Sequence, residues 1–395
     1  AGFTSQGVDV VRLGVLPTPA ATLLTPSLGV DMTVMITASH NPYYDNGIKL
    51  IAASGDKFGD DVTARLEAAV VDGEFSFDKE KLGRVSEDKT AAERYKEIAL
   101  GMGGKELPLQ GLKVVLDCAN GCFSKIMPEV FAKLGADVTA LSCMPDGTNI
   151  NRDCGSQHID AMTAKVRDCG AMLGIAADGD GDRIIICDEK GNRVDGDQII
   201  AFLGKYYKEH NRLKADTVVA TIVSNPALDR FLEGIGVKCV RSAVGERYVI
   251  EEMKKCGSNI GGEESGHMVV ADYAKTGDTM MAALVIAMGL LQSGKKMSEI
   301  FPLFTPITRK RIDSKFCGKD EMLAAFELAA FQAEIKQGEA DIAGKGRILV
   351  RKSGTEPKIQ VWVWGDDVPL ATAVSNRIAS VLEKADGFES RKEVL

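Results

Sequence analysis

Ser39 lies in Thr37-Ala-Ser-His-Asn-Pro42, with His40 beside it and Lys49 a short way on, so one serine oxygen has two candidate proton-handling neighbours. No carboxylate nearby completes a triad. A plainer reading is also open, in which Ser39 and Asn41 only build a hydrogen-bonded turn before Pro42. Further along, Asp178, Asp180 and Asp182 alternate with glycines in Asp178-Gly-Asp-Gly-Asp-Arg183. Three carboxylates on so permissive a backbone can converge on one hard cation, and Arg183 can contact an anion beside them. Calcium in an EF-hand is a rival, since Glu189 falls at the twelfth position. Arg183 stands where that loop needs glycine, however, and Ile184–Cys187 reads as a strand, so the spacing favours magnesium over both the EF-hand and a solvated turn.

Two more loops carry polar chemistry. Gly261-Gly-Glu-Glu-Ser-Gly-His267 offers a carboxylate, a hydroxyl and an imidazole suited to the hydroxyls of a sugar, although an ordinary turn uses the same glycines. In Arg351-Lys-Ser-Gly-Thr-Glu-Pro357 the spacing of Ser353 and Glu356 imitates a helix capping box. Pro357 and the alternation of Ile359, Val361 and Val363 with Gln360, Trp362 and Trp364 make it a strand-to-strand loop instead, fit to cradle a phosphate.

These loops need elements to hold them. Met32–Ile36 reads as a buried strand ending at the serine loop, preceded by a strand over 8–16 and by proline-rich joints at Pro17, Pro19 and Pro26. A polar helix-and-loop stretch runs on to about Asp88, and a connecting helix covers 91–100. Strands at 112–116 and 136–141 flank a helix that ends at Leu134, and strands at 171–176 and 184–187 flank the aspartate loop. A similar pattern follows: strand 217–223, helix 227–233, strand 237–241 and helix 248–255. Thr33–Pro42 echoes Thr217–Pro226, which suggests related units in tandem. Asp278 can cap an apolar core helix over 280–291, and the last segment shows helices at 321–336 and 370–384 around two strands. The implied division is 1–88, 89–190, 191–304 and 305–395.

The 395 residues are 45% apolar, enough for several cores. A formal charge of −8 disfavours a general nucleic-acid binder, so an anionic ligand must be held by local basic loops. Nine cysteines without a Cys-x-x-Cys pair argue against a disulfide framework and a zinc site. No run is long enough to span a bilayer and no signal segment opens the chain, so a cytoplasmic protein without membrane partners is expected.

The four motifs, in this order, resemble those of the α-D-phosphohexomutase family over essentially the whole chain. The resemblance implies an α/β architecture of four domains, three related mixed-sheet α/β domains and a small C-terminal α+β domain, around a cleft. It implies that Ser39 is a phosphoserine and a metal ligand together with Asp178, Asp180 and Asp182, and that His40, Lys49 and Arg183 serve catalysis. Arg247, Glu263, Ser265 and His267 would meet the sugar, and Arg351, Ser353, Gly354 and Thr355 its non-reacting phosphate. Mg2+ as cofactor, a hexose bisphosphate as activator and a small sugar phosphate as substrate follow from the same likeness, with a homodimer among the options. Tyr43–Lys49, Val194–Gln198 and Val244–Val249 look like the bacterial branch that interconverts glucosamine 6-phosphate and glucosamine 1-phosphate. Glu264 and Gln360 depart from that branch, where Gln and Arg are common. The alternatives are a phosphomannomutase or phosphoglucomutase of the same family and a non-catalytic sugar-phosphate-binding fragment. The chain opens at Ala1, and the resemblance implies a first domain without its opening strand, helix and arginine loop, leaving a sheet edge and apolar surface uncovered.

Overall fold

Short runs of Val, Ile and Leu bounded by amphipathic helices favour sheets covered on their faces. The computed structural model describes residues 1–73, 82–102, 108–353 and 356–394, apart from the side chain of Asp60. It divides into two compact units, Ala1–Thr221 with Gly236–Leu303, and Ile222–Ile235 with Phe304–Leu395.

In the first unit two sheets share one plan. Asp137–Leu141, Lys113–Asp117 and Leu173–Ala177 run parallel, and Ile184–Asp188 and Arg193–Val194 then turn back antiparallel. Likewise Lys238–Ser242, Thr217–Thr221 and Ile260–Gly262 run parallel, and Met268–Val270 closes the sheet antiparallel. Every residue of Leu173–Ala177 and Ile184–Asp188 is buried, as strands covered on both faces should be. The Thr279–Ser293 helix is apolar nearly all round and buried along most of its length, so it is core, as its composition predicts.

The opening region departs from the sequence reading. Thr18–Leu28 is a helix where proline joints were expected. Pro19 stands in the first turn, where no backbone N–H is needed, and Pro26 falls close enough to the end to forgo only one hydrogen bond. Burial of Ala20, Ala21 and Leu24 outweighs that loss. The strand expected over 8–16 shrinks to Val10–Arg12, which pairs in parallel with Val85–Glu87, a strand in the stretch read as helix and loop. Met32–Ile36 forms where expected and pairs antiparallel with Ile48–Ala52, but it is not the buried strand expected: four of its residues are half-buried and Ile36 is exposed, because it lies in a sheet of only two strands. Val15, Ile36, Ile48, Val70 and Val71 in this region are exposed.

In the second unit the strands Gly346–Lys352, Lys358–Gly365, Arg309–Phe316 and Phe388–Val394 lie in that order, all antiparallel. Alternation along Lys358–Gly365 suggests one wet face, yet nearly the whole strand is buried. Ile359, Val361 and Val363 pack with the Val368–Leu382 and Ala329–Asp341 helices, while Trp362 and Trp364 pack with Ala227 of the Pro226–Gly234 helix. The single helix expected over 321–336 is two, Lys319–Phe326 and Ala329–Asp341. Phe326 and Phe331 both join the same core, and five residues apart on a straight helix they would diverge by roughly 140°. The break at Leu328, whose backbone is extended, brings the two rings edge to face at 6.1 Å.

Asp278 caps the core helix by accepting from the Met281 N–H at 3.2 Å, and it also accepts from the buried Tyr95 hydroxyl at 2.8 Å. Burial pushes this carboxyl up to about 7. The folded state therefore holds the proton more tightly than the unfolded one, and Asp278 costs stability as pH rises from about 4 to about 7. Asp278→Asn, which keeps the cap and the Tyr95 acceptor, should flatten that slope in urea titrations at about pH 5 and about pH 8. Asp278→Ala should lose about 2 kcal/mol at about pH 5, because both donors are left unsatisfied, and less at about pH 8, where the wild-type carboxyl itself costs stability.

Candidate active site

Each of the four chemistry-bearing loops joins two antiparallel neighbours in a sheet. The serine loop links Met32–Ile36 to Ile48–Ala52, the aspartate loop Leu173–Ala177 to Ile184–Asp188, the Glu263–His267 loop Ile260–Gly262 to Met268–Val270, and the Arg351 loop Gly346–Lys352 to Lys358–Gly365. The echo of Thr33–Pro42 in Thr217–Pro226 is thus not an equivalence. Thr217–Thr221 leads into a helix capped by Asn225, whereas Met32–Ile36 leads into a hairpin.

Ser39, Lys49 and the three aspartates meet. The Ser39 hydroxyl donates to Asp178 Oδ2 at 2.8 Å and stands 3.4 Å from His40 Nδ1. Asp178 Oδ1 accepts from the main-chain N–H groups of Gly181, Asp182 and Arg183, each at 3.1 Å, which fixes the loop's curl. The glycines are sterically required. A Cβ on Gly179 would lie 2.7 Å from the Ser39 carbonyl oxygen, and one on Gly181, at φ +76°, would lie 2.3 Å from the Phe123 ring. Ser39 itself has φ +55°, a conformation that costs a non-glycine residue about 1–3 kcal/mol.

The three aspartates are almost completely buried, and their carboxylate oxygens gather within 4.8 Å of one another. Lys49 Nζ bridges Asp180 Oδ2 at 2.6 Å and Asp182 Oδ2 at 2.9 Å, and Thr18 Oγ1 donates to Asp180 Oδ2 at 2.7 Å. Burial, then the charges of Asp182 and Asp180, hold the Asp178 carboxyl well above the usual range. Burial also opposes charge on Asp182, but His267 and Lys49 outweigh it and hold that carboxyl low. Burial works against the Lys49 ammonium, yet Asp182 and Asp180 raise its pKa. Burial, and next the Arg183 charge, lower that of His40. Asp180 Oδ1 and Asp182 Oδ1 are buried without a hydrogen bond among the described residues, and His267 Nδ1 comes no nearer to the latter than 3.6 Å. One ammonium for three carboxylates, two unsatisfied inward oxygens and an all-oxygen donor set fit a hard divalent cation.

Arg183 Nε donates to His267 Nε2 at 3.0 Å, which leaves His267 Nδ1 as the donor facing the Asp182 carbonyl oxygen at 3.1 Å. Glu263 is buried and accepts from the Gly245 N–H at 2.9 Å, while Ser265 is exposed. Arg247 stands elsewhere. It pairs with Glu251 at 2.8 Å and lines a cavity of about 150 Å³ with Thr22, Lys57, Lys254 and Lys275, a lining that includes neither Ser39 nor the aspartates. In the second unit Arg351 is half buried, and burial followed by the nearby Arg311 charge lowers its pKa. Ser353 Oγ accepts from the Glu356 N–H at 3.4 Å; Gly354 and Thr355 lie outside the described residues.

Sequence reasoning missed several supports. Thr18 touches the aspartate cluster from the unexpected helix. Buried Glu246 accepts from Lys57, Thr276 and the Gly277 N–H, bracing the wall beside Asp182 and His267. Asn151 reaches the serine loop. Their only sequence signal was a polar residue in an otherwise ordinary loop or helix start.

Comparison with known proteins agrees with the geometry. Residues 1–76, 94–191 and 195–306 match phosphoglucomutase/phosphomannomutase alpha/beta/alpha domains I, II and III, and residues 315–381 match the C-terminal domain. The chain is 46% identical to a phosphoglucosamine mutase of Paramagnetospirillum magneticum over 98% of its own length and 86% of the relative's. It is 44% identical to that of Rhodospirillum centenum over 98% and 83%. Among solved structures, a phosphoglucomutase/phosphomannomutase family protein from Burkholderia thailandensis superposes with a TM-score of 0.78 at 20% identity, covering 98% of this chain and 85% of that one. An Aspergillus fumigatus N-acetylphosphoglucosamine mutase, in complex with GlcNAc-6P and magnesium, gives 0.65 at 17% identity and 92% coverage of each.

A divalent cation that favours oxygen ligands should raise the thermal midpoint of the protein, by about 2.7 kcal/mol of stability at a hundredfold excess over its Kd. Chelator should reverse the rise, and Asp180→Asn with Asp182→Asn should abolish it. A midpoint indifferent to every such cation would remove the site.

Proposed function

Because the chain belongs to the phosphoglucomutase/phosphomannomutase family, we infer that it is an isomerase interconverting glucosamine 6-phosphate and glucosamine 1-phosphate. The observation that carries the chemistry is the Ser39 hydroxyl on Asp178 at the rim of a three-carboxylate cluster. A hydroxyl so placed can bear a phosphoryl group, pass it to the free hydroxyl of the sugar phosphate and take the other phosphoryl group back from the resulting bisphosphate. Each half is an in-line transfer in which positioning and charge neutralisation dominate.

Asp178, Asp180 and Asp182, with Ser39 Oγ, would hold Mg2+, which when bound neutralises charge on the phosphoryl oxygens. His40, beside Ser39 Oγ, takes the sugar hydroxyl's proton as that oxygen bonds to phosphorus and the phosphorus–oxygen bond to Ser39 breaks, and gives it to the departing Ser39 Oγ; in the second half it takes the Ser39 proton and gives it to the leaving sugar oxygen. Lys49, already on two carboxylates, lies within reach of a phosphoryl oxygen arriving at the cluster. Arg183 presents a guanidinium oriented by His267. Glu263 commits one carboxylate oxygen to Gly245 N–H and keeps the other for a sugar hydroxyl, with Ser265 exposed beside it. The Arg351 guanidinium has no side-chain hydrogen bond among the described residues and feels repulsion from Arg311 that Asp313 only partly offsets, which suits it to an anion; Ser353, Gly354 and Thr355 would complete that phosphate cradle. Arg247 lines its own basic cavity, which supports an indirect role in sugar binding at most. The division 1–88, 89–190, 191–304 and 305–395 remains our assignment of domains, and a hexose bisphosphate our choice of activator.

With Mg2+ and a trace of hexose bisphosphate, turnover of glucosamine 6-phosphate should exceed that of mannose 6-phosphate and glucose 1-phosphate. Ser39→Ala should lower it by at least about a thousandfold, because the nucleophile is lost. Preference for another sugar would overturn the substrate, and near-normal activity of Ser39→Ala would overturn the phosphoserine.

A further inference from the structure

The serine loop is a strained turn, and a strained turn holds its shape only where its surroundings over-determine it. Ser39 has φ +55°, and the loop bonds to itself through Thr37 N–H to the Gly47 carbonyl at 2.9 Å, Ser39 N–H to Thr37 Oγ1 at 2.9 Å, and, each at 3.1 Å, Asn41 N–H to the Ala38 carbonyl, Asp45 N–H to the Pro42 carbonyl and Asn41 Nδ2 to Asp45 Oδ2; none of these engages the Ser39 or Asn41 carbonyl oxygen. The remaining grip comes from far along the chain. Asn151 Nδ2 donates both its hydrogens, one to the Ser39 carbonyl oxygen and one to the Asn41 carbonyl oxygen, each at 2.9 Å. A single carboxamide thus ties down the carbonyls of the two residues that flank His40.

Asn151 is itself fixed. The residue is 9% exposed, its backbone has φ +58°, and its N–H donates to the Ala119 carbonyl oxygen at 2.9 Å. The loop around it is braced to the end of the Lys113–Asp117 strand: Asn120 accepts from the Met144 N–H at 3.1 Å, and Asp117 accepts from the Gly155 N–H at 2.9 Å. Its amide also packs on the aspartate loop, where a Cβ on Gly179 would stand 2.8 Å from Asn151 Nδ2. One residue therefore touches both the loop of the nucleophile and the loop of the carboxylates.

We propose that Asn151 is a positioning residue for phosphoryl transfer, clamping the Ser39 and Asn41 carbonyls so that Ser39 Oγ stays aimed at Asp178. This rests on the reading of Ser39 as the nucleophile. Asn151 contacts no reacting atom; it acts through the main chain of the serine loop, so its loss moves the rate and leaves sugar binding in place.

The test uses the full chain, primed with a hexose bisphosphate, and Asn151→Gly. Glycine takes φ +58° without strain, so this change removes the two donors and spares the turn at residue 151. The expected result is a kcat about 10- to 100-fold lower with KM within about threefold, as for a misplaced but intact site. Backbone amide exchange at residues 38–41 should quicken while the thermal midpoint holds. Asn151→Asp, which keeps the shape but sets an acceptor against two carbonyls, should show at least the same loss, and it carries the test if the glycine variant fails to fold. Wild-type kcat in either folded variant, or a loss confined to KM, would overturn the proposal. If the unmutated protein turns over no sugar phosphate, the reaction assignment fails instead, and unchanged exchange at 38–41 in Asn151→Gly would then dispose of the clamp separately.

Discussion

Three carboxylates buried within a few ångströms of one another are the constraint on which the first unit depends. Mutual repulsion and lost hydration make such a cluster untenable unless the surrounding chain compensates it. The compensation comes from separate parts of the sequence: the Lys49 ammonium, the Thr18 hydroxyl, the Ser39 hydroxyl and the loop's own N–H groups. It is incomplete, since Asp180 Oδ1 and Asp182 Oδ1 are buried with no hydrogen bond among the described residues, and that shortfall is the physical argument for a cation.

Within the first unit, placing chemistry in hairpin loops lets the ends of several strands contribute to one cluster. A hairpin loop is short, its ends are fixed by the ladder beneath it, and its backbone can adopt conformations a strand cannot. Ser39 at positive φ and the tight glycines of the aspartate loop are what such loops permit. Asn151 and the Glu246 brace then supply from neighbouring segments the rigidity that loops lack on their own.

The second unit solves a different problem. Its Lys358–Gly365 strand is covered on both faces, by helices on the aliphatic side and by a helix borrowed from residues 222–235 on the tryptophan side. Arg309 and Arg311 lie over Trp362, each about 4.8 Å from the ring, and Arg311 is engaged by Asp313 through two bonds of 2.8 Å. Arg351 stands near this face, where burial and then the Arg311 charge lower its pKa while the Asp313 charge opposes them.

The sequence by itself determined what local chemistry can encode. The Asp178–Arg183 loop between two apolar runs, the strand ending before Ser39, the all-apolar helix behind Asp278 and the strand-loop-strand around Ser353 each announce themselves through spacing and composition within about ten residues. It could not show that Thr18–Leu28 is helical in spite of two prolines, that Leu328 breaks a helix, or that both faces of the tryptophan strand are buried. Those outcomes were decided by burial against partners distant in the chain. Nor could it single out Asn151, Thr18 or Glu246, since one amide, hydroxyl or carboxylate in a loop has no local pattern. Their roles exist only where the tertiary structure brings a carbonyl, a carboxylate or an ammonium within hydrogen-bond reach.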